Sequence, residues 1–167
     1  IQLDKKSKQW IITSKGNNKK VKIKICNRLY ILGYQKELCC GDISLKNKFF
    51  TSIHNKLPAP GLKTESFSNV FSKNELLQLE YDIFGLCFWM MNRSEELFLE
   101  EKYMDKHRRF DFRFSHAYKF GYLSRPLVDE WLQFLTQFLK VVYPNIIFNK
   151  SKFKISPSHD VDNPMKY

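Results

Sequence analysis

Two carboxylates spaced i, i+2 stand out as the residues most able to do chemistry: Asp160 and Asp162, in Ser158-His-Asp-Val-Asp-Asn-Pro164. A loosely alternating run, Phe148 to Ser156, leads into them and puts Phe153 and Ile155 on one face. In an extended chain such a pair points the same way, about 7 Å apart. One carboxylate can then hold a divalent metal while the other stays free as a base. On spacing alone the plainer reading is a turn, because Asp, Asn and Pro are common turn formers. The stretch is a poor EF-hand start, since the sequence ends before the glutamate that would close the loop.

A metal centre needs more ligands, and the sequence offers them only singly. The histidines are His54, His107, His116 and His159, and no two have the short spacing of a local ligand pair. Cys26, Cys39, Cys40 and Cys87 form no Cys-x-x-Cys, so zinc-finger spacing is absent. They read as reduced, mostly buried thiols, which points to a reducing, cytoplasmic setting. Arg93-Ser-Glu-Glu96 and Asp105-Lys-His-Arg-Arg109 could line a polar pocket, with an ion-pair network that fixes the loop as the plainer expectation. Ser115-His116 is not read as a nucleophile and base, and Gly-x-Ser-x-Gly and glycine-rich phosphate loops are absent.

The elements that must position these residues are short. Trp10-Ile-Ile-Thr13 is aromatic and β-branched, and Val21-Lys-Ile-Lys-Ile25 alternates as a half-buried strand does. Gly16-Asn-Asn is a turn between them. Leu29-Tyr-Ile-Leu32 and Phe49-Phe-Thr-Ser-Ile53 read as a third and a fourth strand. Leu57-Pro-Ala-Pro-Gly61 interrupts regular structure, so 56–69 reads as a loop. A helix is expected from near Glu75, capped by Ser72 or Asn74, with Leu76, Leu77, Ile83, Phe84, Cys87, Met90 and Met91 at close to helical spacing. From Leu86 to Met91 it is apolar on all sides and should be buried all round. Residues 102–115 read as irregular. A second helix opens at Pro126, carries a stripe from Leu127 through Trp131, Leu135 and Phe138 to Val142, and ends at Pro144. The fold class is α+β: a small N-terminal mixed or antiparallel sheet with two main helices packed on it. A basic, β-rich front (1–56) is followed by a helical back (72–144).

The 167 residues suit one domain, and 15 Phe, 8 Tyr and 3 Trp suffice to fill its core. No apolar run reaches the roughly 18 residues of a membrane span. Residues 1–75 hold 15 Lys and Arg against 5 Asp and Glu, whereas the rest of the chain is nearly balanced. Such a front suits a polyanion, with a solvated lysine surface as the plainer account. Lysine greatly outnumbers arginine, which disfavours nucleic acid as the partner because bidentate base readout uses arginine.

Several of these segments resemble one known arrangement. Tyr81-Asp-Ile-Phe-Gly-Leu-Cys-Phe-Trp-Met-Met-Asn-Arg-Ser-Glu-Glu96 looks like the helix of an accessory domain that precedes the catalytic domain in polysaccharide deacetylase-like, NodB-type carbohydrate esterase proteins, where it ends in Arg-x-Glu-Glu. Asp105-Lys-His-Arg-Arg-Phe110, Ser115-His-Ala-Tyr118 and Phe120-Gly-Tyr-Leu-Ser-Arg-Pro-Leu-Val-Asp-Glu-Trp131 are similar to that domain in order and spacing. Ser158 to Pro164 resembles the first catalytic motif. The likeness implies an accessory domain over 1–152 and, over 153–167, the first strand and motif of a truncated catalytic domain. It implies Asp160 as general base and Asp162 as metal ligand in the intact protein, with zinc or another divalent cation as cofactor there and none in this chain. The family's His-x-x-x-His pair, substrate-binding arginine motif and catalytic histidine motif are missing from this sequence.

The implied function is an N-terminal docking or substrate-cleft module of a metal-dependent polysaccharide N-deacetylase-like hydrolase, not catalytically complete alone. Its expected partners are the downstream catalytic domain and an acetylated or anionic polysaccharide. The alternative is a basic binding module for a polyanion.

Overall fold

The computed structural model describes residues 1–16, 18–36, 38–44, 55–63, 71–72, 75–149 and 152–158. The fold is α+β. Strands β1 (Gln2–Asp4), β2 (Gln9–Thr13), β3 (Lys20–Lys24), β6 (Phe71–Ser72) and β7 (Glu75–Leu79) form one sheet in the order β1-β2-β3-β7-β6. It is mixed: β3 and β7 run parallel, with Lys22 opposite Gln78, and the other neighbours are antiparallel. Strands β4 (Cys40–Ser44) and β5 (Lys56–Pro60) form a separate antiparallel pair. The helices are α1 (Ile83–Met91), α2 (His116–Lys119) and α3 (Leu127–Val142). None among the described residues is long and apolar enough to cross a membrane.

The alternating run of β3 behaves as its pattern dictates: Val21 and Ile23 are fully buried while Lys20 and Lys24 face water. On α3 the stripe is buried at Leu127, Trp131, Leu135, Phe138, Leu139 and Val142, joined by Phe134 and by Glu130. Pro126 stands one residue earlier than expected, as the cap rather than the first helical residue. At the far end the Tyr143 hydroxyl lies between the carbonyls of Ile12 and Lys19, 3.0 and 2.9 Å away, and ties α3 to the β2–β3 hairpin.

Four expectations are corrected. Leu29 to Leu32 is not a strand. Asn27–Tyr30 is a 3-10 turn that buries Leu29 alone, while Ile31 and Leu32 are exposed, so no alternating face exists to pair. The helix does not begin near Glu75, because Glu75–Leu79 is strand β7. From Gln78 to Tyr81 burial alternates with period two, and Leu79 and Tyr81 are the buried members. The cap is neither Ser72 nor Asn74 but Asp82, whose Oδ1 accepts from Gly85 N and Oδ2 from Cys26 N, both at 2.8 Å. Nor is α1 buried all round. Leu86 and Trp89 are inside, but Met91 is 76% exposed and Phe88 38%.

The fourth correction concerns β5, which forms despite its two prolines. Residues 56, 58 and 60 turn their backbone edge away from β4 and toward the helices. The carbonyl of Lys56 accepts from Arg125 Nη2 (2.9 Å), that of Pro58 from Trp131 Nε1 (2.8 Å) and that of Pro60 from the Tyr81 hydroxyl (3.2 Å). A strand residue sends its N–H and C=O to the same side. The missing proline N–H groups therefore fall on the edge where no strand pairs.

The stretch expected as a fourth strand, 49–53, lies outside the described residues. The final strand expected from Phe153 does not form over 152–158. That segment belongs to no ladder among the described residues, and Phe153 and Ile155 are 89% and 72% exposed.

Two substitutions test this account. Trp131→Phe keeps the ring packing but leaves the Pro58 carbonyl without its donor. It should lower unfolding free energy in urea by about 1–3 kcal/mol. A Cβ on Gly85 would stand 2.6 Å from Asp82 Oδ2. Gly85→Ala should therefore expel the capping carboxylate and cost about 1–2 kcal/mol by the same measurement, although alanine is the better helix former.

Candidate functional site

Asp160, Asp162 and His159 lie outside the described residues, as does His54. Among the described residues no group of three His, Cys, Asp or Glu side chains could hold a metal ion. The four thiols are free and half-buried, and burial pushes the Cys40 thiol up to about 12. His107 stands on an exposed loop, with its backbone N–H donating to Asp105.

His116 is buried beside Trp89, whose ring meets it edge-on at 5.3 Å between centroids. Its Nδ1 is 2.5 Å from the Tyr122 hydroxyl and its Nε2 3.4 Å from the Cys39 carbonyl. A neutral ring protonated at Nε2 satisfies both contacts, donating to Cys39 and accepting from Tyr122. Its backbone N–H donates to Glu95 Oε2 at 2.9 Å. Burial lowers the imidazole to about 4 and raises the Glu95 carboxyl. Ser115 does not approach the ring as a nucleophile. Its hydroxyl donates to the Phe112 carbonyl (2.6 Å) and accepts from Tyr118 N, capping α2.

The two charged segments singled out in the sequence do meet, and both readings of them hold at once. Arg93, Asp105 and Arg109 line an open groove of ≈ 830 Å³ together with Phe110, Asp111, Phe112 and Arg113. Each guanidinium is clamped by a nearby carboxylate through Nε and Nη2: Arg93 by Glu96, Arg109 by Asp105 and Arg113 by Asp111. Asp105 also accepts from the backbone N–H groups of Arg109 and His107. The backbone bond from Arg109 is the largest influence holding its carboxyl down at about 2. Asp111 is held below the usual carboxylate range, first by the Arg113 side chain. Asp111, Phe112 and Arg113 escaped the sequence reading. The signal that could have found them is the repeated acid–arginine spacing of two to four residues between Arg93 and Arg113.

The motif segments thus build a groove wall, a buried histidine knot and the start of α3, all within one α+β domain. Residues 9–144 match the model of a family described as "Family of unknown function (DUF7033)", and the chain belongs to that family. No curated protein matches the chain, and no solved structure does.

The buried histidine has a pH signature. The unfolded chain binds a proton at His116 near pH 6.5, whereas the folded domain resists it until about pH 4. Across that window the unfolded state carries more protons, so stability should fall as pH drops, by up to about 3 kcal/mol. Glu95, raised by burial, acts in the opposite sense. Urea midpoints from pH 7 to 4 should slope downward for the wild type. They should slope distinctly less for His116→Gln, and equal slopes would exclude a buried neutral imidazole.

Proposed function

We propose that this domain is the N-terminal docking or substrate-cleft module of a metal-dependent polysaccharide N-deacetylase-like hydrolase whose chemistry belongs to a following catalytic domain. The observation that supports this reading most directly is the segment 152–158. It carries no helix or strand, it pairs with nothing among the described residues, and it holds Phe153 and Ile155 open to solvent at i, i+2. Exposed apolar side chains in strand alternation suit a strand whose partners lie in another sheet. The segment runs directly toward Asp160-Val-Asp162, the pair that resembles the first catalytic motif.

The donor types fit the role. Asp162 offers an anionic oxygen to a hard divalent cation, and Asp160, two residues away, is free to take a proton. When bound, the metal supplies Lewis acidity toward an amide carbonyl. The exposed apolar side chains of α1, Phe88 and Met91, give such a neighbour a surface to pack on.

The gene decides this reading. Its frame should continue past the Tyr167 codon and encode a His-x-x-x-His pair, and a stop codon there or a continuation without the pair overturns it. In the full-length protein, Asp162→Asn should cut acetate release from N-acetylated chito-oligosaccharides at least about 100-fold while leaving thermal unfolding of this domain unchanged.

A further inference from the structure

The groove between Arg93 and Arg113 has a composition that selects its ligand. Its three arginines are each bonded to a carboxylate through Nε and Nη2. Each carboxylate takes the Nε–Nη2 side of its guanidinium, with one oxygen of Asp105 accepting both bonds from Arg109, and leaves the two Nη1 N–H groups facing elsewhere. The carboxylates are spent: both oxygens of Asp105 and both of Asp111 accept from the neighbouring arginine or backbone. The groove therefore presents fixed donors and few open acceptors.

Its charge is nearly balanced. Between Arg93 and Arg113 the sequence holds six Lys and Arg and six Asp and Glu. The local excess of cations is small, in contrast to the lysine-rich front of the chain. What the groove adds to its donors is apolar ring surface. Phe112 is 55% exposed, and its ring is set by an edge contact with Tyr118 at 5.5 Å. Phe110 lines the same groove, half-buried. The volume of ≈ 830 Å³ lies in the range of ligand clefts.

We infer that this groove binds an uncharged glycan, with ring and carbonyl oxygens taking the free guanidinium donors and a pyranose face lying against Phe112. An uncharged sugar ring is rich in acceptors, carries no charge to be steered and has a flat C–H face for an aromatic ring. Clamped guanidinia suit it, because their donors are held in place before binding and little side-chain entropy is lost. The inference deepens the docking-module reading by naming the ligand class of the groove, and it rests on that reading for its biological setting.

The test is NMR titration of the full chain with N-acetylated chitotetraose and with trigalacturonate, each at low and high salt. Chitotetraose should shift the amide signals of 105–113 with an affinity that salt leaves unchanged. Phe112→Ala and Arg109→Lys should each weaken it by about tenfold or more, the second because an ammonium keeps the charge but loses the fork. Phe153→Ala, outside the groove, should bind as the wild type does. The inference is overturned if chitotetraose shifts nothing at about 10 mM. It is equally overturned if the shifts map elsewhere, if Arg109→Lys binds unchanged, or if trigalacturonate binds more tightly and loses affinity with salt. The gene continuation test decides the docking-module reading separately, so either can fail alone.

Discussion

The free edge of β5 is the constraint around which the domain is organised. Its carbonyls at Lys56, Pro58 and Pro60 point toward the helical half, and no strand among the described residues bonds them. Prolines at 58 and 60 mean that an antiparallel neighbour would find no donors at those positions, so this edge cannot recruit one in the ordinary way. Yet a buried carbonyl left bare costs as much as a lost hydrogen bond. The three donors come from three places in the helical half: Tyr81 ahead of α1, Arg125 ahead of α3, and Trp131 within α3. Each is held in turn. Arg125 pairs with buried Glu130, and the Tyr81 and Trp131 rings pack at 4.4 Å between centroids. The front and back halves, so unlike in charge, are thereby joined through side chains onto main chain.

That joint also explains what the sequence disclosed and what it withheld. β3 and α3 are legible because one buried face repeats with a single period over five residues or more, and β2 because its residues are aromatic and β-branched. β5 is illegible by the usual rule, since proline argues against a strand only when its N–H edge must pair, and here that edge meets side chains instead. β7 hides for another reason. Leu76-Leu77 runs on toward Ile83 at spacings a helix tolerates, and its parallel partner β3 lies more than fifty residues away, beyond any local window. The apolar content of α1 misled in the opposite direction. Nine apolar residues in a row need not all be inside when the helix lies at the surface: Ile83, Gly85, Leu86 and Trp89 are buried, while Phe84, Cys87 and Met90 pack against the core only in part.

For the site, the two segments from Arg93 and from Asp105 were visible as charge clusters, but their relation was not. Exposed ion pairs contribute little to stability, typically under about 1 kcal/mol. Arginine–carboxylate pairs that engage both Nε and Nη2 are the exception to that rule, and these three hold the segments that display them. The backbone around them is unfavourable: Arg93, Phe98 and Arg108 all have positive φ without being glycine. Left-handed backbone at such residues costs about 1–2 kcal/mol each. Strain of that kind persists only where the surroundings hold it, and it is more often found where a surface serves binding than where a loop merely connects.

The segment that follows Arg93 is tied to a buried knot. Glu95 stands next to Glu96, which clamps Arg93, and its carboxylate accepts from the backbone of His116. His116 follows a continuous run in which Asp111 caps the turn of Phe112–Phe114 and Ser115 caps α2. The two walls of the groove, 93–96 and 111–113, are thus pinned to one another through one hydrogen bond between partly buried groups and two local caps. The imidazole stays neutral because both its nitrogens are spoken for and burial opposes charge. A protonated ring would lose the acceptor at Nδ1, and the Tyr122 hydroxyl would have to rotate from donor to acceptor to keep that contact. The arginines of the groove are thus set by their local carboxylate clamps and by the one contact of Glu95 with His116.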